Sequence, residues 1–311
     1  MKEYRKRIIS AVLAAAMAFS SVGITAYAEG LAEGESGEVS VDGSVSVNAA
    51  NFPDAAFRDY ISQNFDADGN NVLSSTEIKN AKSIFVGSSS VSDLKGIEYF
   101  TALEVLYCYN NNLTALDVSS NTALKSLGCN GNRLTSLNVS NNTALTYLDC
   151  SFNQLTSLNL SKNTKLEELR CYENKLTSLD VRNCPALTVL NFRSNKLTGI
   201  DVSRNTALTV LNCDSNQFTS LDVSKNTALA ILSCQKNQLA GIDVSKNTVL
   251  KELYCSENKL TGLNVSANTA LTHLNFSNNS ITNIDVSKNT ELVYLYCDSN
   301  SLKKLEVSKN T

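Results

Sequence analysis

Residues 221–239 read LDVSKNTALAILSCQKNQL, one of ten near-copies that follow one another at a period of 21 from Leu103 to the end of the chain. Leucine returns at Leu103, Leu124, Leu145 and so on to Leu292, and asparagine at Asn111, Asn132, Asn153 and so on to Asn300. Such a period marks a solenoid, whose coils stack because none can bury its apolar face alone. Inside each copy one spacing is used twice: Leu103, Leu106, Cys108 and Asn111 sit at offsets 0, 3, 5 and 8, and Leu113, Leu116, Val118 and Asn121 at 10, 13, 15 and 18. In LxC and LDV apolar residues alternate with variable or polar ones, the period of a half-exposed strand. The spacing predicts two short strands per coil and hence two parallel sheets back to back, with leucine, cysteine and valine between them. The asparagines, three residues past each strand, are expected to turn the corners and bond in ladders.

Eight of the nine cysteines, Cys234 among them, occupy offset 5, and Phe192 and Phe276 fill the remaining two places. A position that accepts Cys or Phe is a core position. Neighbouring coils about 4.8 Å apart hold side chains farther apart than the roughly 3.8 Å between Cβ atoms that a disulfide prefers. A single file of thiols also presents no tetrahedral zinc site. Buried free thiols acting as small hydrophobes are therefore expected. Cys184 lies outside the column, at a turn, and reads as a lone turn substitution, with an exposed thiol that pairs between molecules as the alternative. His273, the only histidine, precedes Leu274 and so points away from the cysteine column. Without a Cys/His pair, a phosphate loop or paired carboxylates in a cleft, no reaction class can be assembled, and the chain reads as a non-enzyme.

The compartment follows from the N-terminus. MKEYRKRII is basic, SAVLAAAMAFSSVGI apolar, and AYA ends in a small-x-small site at Ala28, together a signal peptide over residues 1–28. The apolar run is shorter than the roughly 18 residues a spanning helix needs, so a secreted or cell-surface protein with no membrane span is expected. Removing Lys2, Arg5, Lys6, Arg7 and Glu3 takes the formal charge from −3 to −6, which disfavours nucleic acid and anionic membranes as partners. Residues 29–50 are rich in Gly, Ser and acid and read as a linker.

Residues 51–85 predict two helices around a loop. Pro53 suits a first helical turn, and Phe57, Tyr60, Ile61 and Phe65 share a face. A second helix starts at the capping box Ser74-x-x-Glu77, although Ile84 to Val86 could begin a strand. Between them DADGNNVLSSTE (66–77) has the oxygen pattern of an EF-hand loop: Asp66, Asp68, Asn70, the carbonyl of Val72, Ser74 through water, and Glu77 as bidentate ligand. Asn71 stands where that loop usually has Gly, and Asn tolerates positive φ well. A structural Ca2+ is expected, with the helix pair covering the open end of the first coil.

The quoted residues resemble bacterial secreted leucine-rich repeat proteins, LxxLxLxxNxL, in the nested 21-residue form whose second half is LxxLDVSxNTA. The resemblance covers 103–311, and VSDLKGIEYFTAL (91–103) looks like the divergent first coil of internalin-like proteins, giving a first coil over 86–102. It implies a β-rich solenoid that serves recognition. The ligand, a protein or glycan, is then expected where the repeat leaves residues free: the outward positions of the first sheet, with Tyr107, Tyr109, Tyr147, Arg170, Tyr172 and Arg193 as candidates, since Tyr and Arg are enriched in interface hot spots. The other side shows an acidic column, Asp117, Asp180, Asp201, Asp222, Asp243 and Asp285, flanked by basic residues such as Arg204 and Lys225. That pattern reads as a solvated, self-neutralised face. The alternative is a non-catalytic repeat region of a larger secreted enzyme or anchored adhesin.

Overall fold

The computed structural model describes residues 43–310. The signal peptide and most of the expected linker lie outside the described residues. Each coil carries one strand of three residues at offsets 2 to 4, from β4 (Val105–Tyr107), β5 (Ser126–Gly128), β6 (Tyr147–Asp149) and β7 (Glu168–Arg170) to β13 (Tyr294–Tyr296). All pair in parallel with a register shift of 21, so that Leu106 faces Leu127 and Leu127 faces Leu148. At the N-terminal edge β3 (Ser83–Phe85) pairs with β4 at a shift of 22 and completes an eleven-stranded sheet.

The second expected sheet does not form. Apart from a two-stranded pair in the cap, the described residues contain this one sheet, and the LDV segments are extended chain and turns. A local contact recurs at the centre of the tripeptide. Asp117 Oδ1 accepts the Ser119 N–H at 2.9 Å, and Asp201, Asp222, Asp243 and Asp285 repeat the contact. Each is an Asx turn, and Asp149 and Asn191 make the same contact at the ends of β6 and of the strand over 189–191, so the two sides differ in backbone pairing and not in this contact. Val118 still points inward and is buried, so the core pattern survives the loss of the strand.

Two asparagine columns join the coils. In the first, Asn153 donates to the Cys129 and Cys150 carbonyls at 3.0 and 3.2 Å and accepts the Leu134 N–H at 2.9 Å. In the second, Asn163 donates to the Val139 and Asn142 carbonyls at 3.0 Å each, while its Oδ1 has no protein partner. Cys184 occupies this second column. It is fully buried with its Sγ toward the Leu160 carbonyl, a substitution for asparagine at the turn rather than an exposed thiol. Seven of the eight column thiols are buried, Cys297 is half-buried, and all nine cysteines are free. Burial pushes the Cys108 and Cys255 thiols up to about 12, so they stay protonated and unreactive at neutral pH.

The cap begins earlier than expected. β1 (Val45–Ser46) pairs antiparallel with β2 (Val72–Leu73), so the last residues of the expected linker belong to the cap, with Val45 fully buried. Helix α1 (Ala55–Phe65) is capped by Asp54, which accepts the Phe57 N–H at 3.0 Å; Pro53 therefore precedes the cap rather than sitting in the first turn. Helix α2 (Ser75–Asn80) carries the expected capping box and stops at Ala81, and Ile84 belongs to β3. The first coil thus starts before residue 86. Phe52, Phe57, Ile61 and Leu73 are buried in one apolar cluster with Ile84, Val86 and the leucines of the coils. Gly96, at φ +101°, admits this contact, because a Cβ there would lie 2.3 Å from the Phe52 ring. The Tyr60 hydroxyl accepts the Phe85 N–H at 2.9 Å, occupying a donor of the edge strand.

Candidate functional site

Alternation in the strands sends offsets 2 and 4 outward, and the loop that follows adds offsets 6 and 7 to the same face. On the N-terminal coils this face carries two lines of aromatic rings. In the first, Phe85 packs edge-on against Tyr107 at 5.6 Å between centroids, and Tyr107 against Tyr147 at 6.4 Å. Tyr107 lies over Gly128, where a Cβ would come within 2.8 Å of the ring, and its hydroxyl bonds the Ser126 hydroxyl at 2.9 Å. In the second line, Phe152 meets Tyr172 edge-on at 5.2 Å, and the Arg193 guanidinium sits 5.1 Å from the Tyr172 centroid. Tyr109 is exposed beside Gly87, and its ring fills the space a side chain there would take.

The structure therefore places all six candidate residues on one face, in unequal situations. Tyr109 is exposed, Tyr107, Tyr147, Tyr172 and Arg193 are half-buried, and the Arg170 side chain is held by Glu168. Sequence reasoning missed Phe85 and Phe152, which are 55% and 49% exposed and among the most exposed large apolar side chains. Phe85 lies where the sequence leaves the end of a helix and the start of a strand equally open. Phe152 stands at offset 7, where other coils carry residues such as Asn110, Glu173, Ser194 and Lys236, and a lone aromatic among polar residues was the available signal. Its φ is +50°, a left-handed conformation that is costly for a bulky side chain. Farther along, His273 stacks on Tyr294 at 4.6 Å, on the face opposite the cysteine column as expected.

In the cap, carboxylate oxygens of Asp66, Asp68 and Glu77 lie within 4.8 Å of one another. The loop is shaped by its own amides: Asp66 accepts the Asn70 and Asn71 N–H groups, and Asn70 Oδ1 accepts from Val72. Glu77 Oε1 accepts the Ala67 N–H at 2.7 Å and Oε2 the Ser74 N–H and hydroxyl at 2.8 Å, and these bonds hold its carboxyl below the usual range. Asn71 adopts φ +61° in place of Gly. Hard oxygen donors in this arrangement suit Ca2+. Val72, the expected carbonyl ligand, lies in β2, so β1 steadies that side of the loop. No helix among the described residues is long and apolar enough to cross a membrane.

Comparison with known proteins agrees with this architecture. The leucine-rich repeat family model matches residues 270–288. Internalin J of Listeria monocytogenes is 39% identical over 71 residues, 23% of this chain but only 8% of that protein. The solved functional domain of internalin J from Listeria monocytogenes, described as including a cysteine ladder, is 32% identical, with 88% of this chain and 75% of that one covered and a TM-score of 0.53. The internalin InlF of the same species is 27% identical over 83% of this chain and 79% of its own, with a TM-score of 0.75. Sharing a stacked thiol column, the repeat and three quarters of a solved internalin domain, the chain belongs to the internalin-like leucine-rich repeat proteins.

Proposed function

We propose that this protein is a secreted or cell-surface recognition scaffold that binds a macromolecular ligand, protein or glycan, on the outer face of the sheet, without catalysing a reaction. The observation that carries this reading is the clustering of exposed aromatic residues on the N-terminal coils, with Phe152 kept at a strained, solvent-facing position. Aromatic anchors beside arginine are the chemistry of binding hot spots. A protein and glycan array probed with residues 29–311 identifies the ligand. Replacing Tyr107, Tyr109 and Tyr147 together with Ala, and separately Phe152→Asn, is expected to weaken binding at least tenfold, about 1.4 kcal/mol. Phe152→Asn should leave the melting temperature unchanged or raise it, because Asn suits positive φ. Full affinity in both variants would refute this placement.

A second reading, that the repeats form the non-catalytic part of a larger enzyme or anchored adhesin, is favoured by the small share of internalin J that the chain matches. In either case the cap loop is proposed to hold a structural Ca2+ through Asp66, Asp68, Asn70, Val72, Ser74 and Glu77. A ligand of the folded loop alone stabilises the fold by mass action, about 1.4 kcal/mol at ten times the dissociation constant. Melting in millimolar calcium and in chelator should differ for the wild type and not for Glu77→Gln. Equal calcium responses, or none in the wild type, would leave the loop a cap only.

A further inference from the structure

Asp149 ends β6 and points outward, yet it is 7% exposed. Its Oδ1 accepts the Ser151 N–H at 3.0 Å and the Ser151 hydroxyl at 2.5 Å, and Ser151 is itself buried. None of the ion pairs among the described residues includes it, and its strand neighbour Arg170 is taken up by Glu168. On β5 it faces Gly128, which offers no charge. The remaining titratable groups around it are Glu168 and Arg170 on β7, Tyr147 on its own strand, Tyr107 packed on Tyr147, and the inward thiols of Cys129, Cys150 and Cys171.

A carboxylate with so little water and a single local donor residue is poorly stabilised as an anion, and burial outweighs the Ser151 bonds and Arg170 in pushing its carboxyl above the usual range. Asp117, Asp201 and Asp222 on the turn side are shifted the opposite way by their Asx-turn bonds. We propose that Asp149 is an acid-sensitive element of the outer face, which takes up a proton while the turn-side carboxylates stay ionised and so makes the patch around Tyr107, Tyr147 and Arg170 more positive as the medium acidifies. The consequence for a ligand rests on the function proposed above; the proton uptake does not.

The sign is fixed by the raised folded value: the native state binds this proton more tightly than the unfolded chain, so ionised Asp149 lowers stability at neutral pH and protonation relieves it. Carboxyl-carbon NMR titration of the protein without ligand tests the proposal, with Asp149→Asn identifying the resonance. The Asp149 resonance should titrate above the ordinary value of about 3.9 and vanish in the variant, leaving the raised Asp214 resonance in place, and Ser151→Ala should move the Asp149 midpoint higher still. Asp149→Asn should melt about 2–4 °C higher than wild type at pH 7, with the gap narrowing as the wild-type carboxyl protonates. An Asp149 resonance at or below the ordinary midpoint, unmoved by Ser151→Ala, or parallel melting profiles would overturn it. Loss of the proposed ligand reading would leave this titration unaffected.

Discussion

Each coil runs nearly the same apolar spacing twice, LxxLxC on one side and LxxLDV on the other, and only the first side makes a sheet. At the central position, the first side carries residues such as Tyr107, Arg170 and Asn191, and the second almost always Asp or Asn. Pattern alone decides which residues are buried: Leu106 and Cys108 on one side and Val118 on the other all lie in the core. Pattern does not decide the backbone. Asx side chains capture the amide two residues on at both central positions, Asp149 and Asn191 as well as Asp117 and Asp201, yet only the first side pairs its backbone between coils. The two sides are therefore joined differently, by backbone pairing on the first and chiefly by asparagine side chains on the second.

The largest expected effect separates the two asparagine columns. Asn153→Ala leaves the buried Leu134 N–H without its acceptor, while the Cys129 and Cys150 carbonyls keep Asn132 and Asn174 as donors, and should cost about 1–3 kcal/mol. Asn163→Ala removes bonds to two carbonyls that each keep a backbone donor, orphans no amide, and should cost about 1 kcal/mol less. Cys184 already stands in the second column, which is consistent with this order. Equal losses by chemical denaturation would break the distinction between the columns.

The smallest effect concerns the turn side in acid. Arg182 and the backbone hold the Asp180 carboxyl down to about 2. A lowered folded value stabilises the native state above the unfolded value near 4 and is lost as pH falls from there through about 2. The pair is solvent-exposed, so Asp180→Asn should flatten the acid limb of the melting profile by only about 1 °C.

The repeat, the buried thiols and the outward columns were legible because a 21-residue period repeated ten times overdetermines them. The absent second sheet was not, because LxC and LDV share one apolar pattern and that pattern does not carry the backbone pairing that separates them. The cap was legible in its helices and capping box, and obscure where partners are distant: β1 pairs with residues 72–73, and Tyr60 reaches Phe85. Of the candidate site, the tyrosines could be placed by counting. Phe85 could not, since residues 84–86 fit the end of a helix or the start of a strand, and only pairing with β4 at the irregular shift of 22 decides between them.

Amide hydrogen exchange compares the two sides most directly. The Cys129, Cys150 and Cys234 N–H groups donate to carbonyls of the next coil at 2.8 to 2.9 Å, whereas those of Val139, Val181 and Val223 have no such backbone partner. The cysteine amides should exchange at the rate of global unfolding, and the valine amides at least tenfold faster through local opening. Equal protection of the two sets would mean that a second hydrogen-bonded sheet exists, and would contradict the single-sheet architecture of the coils.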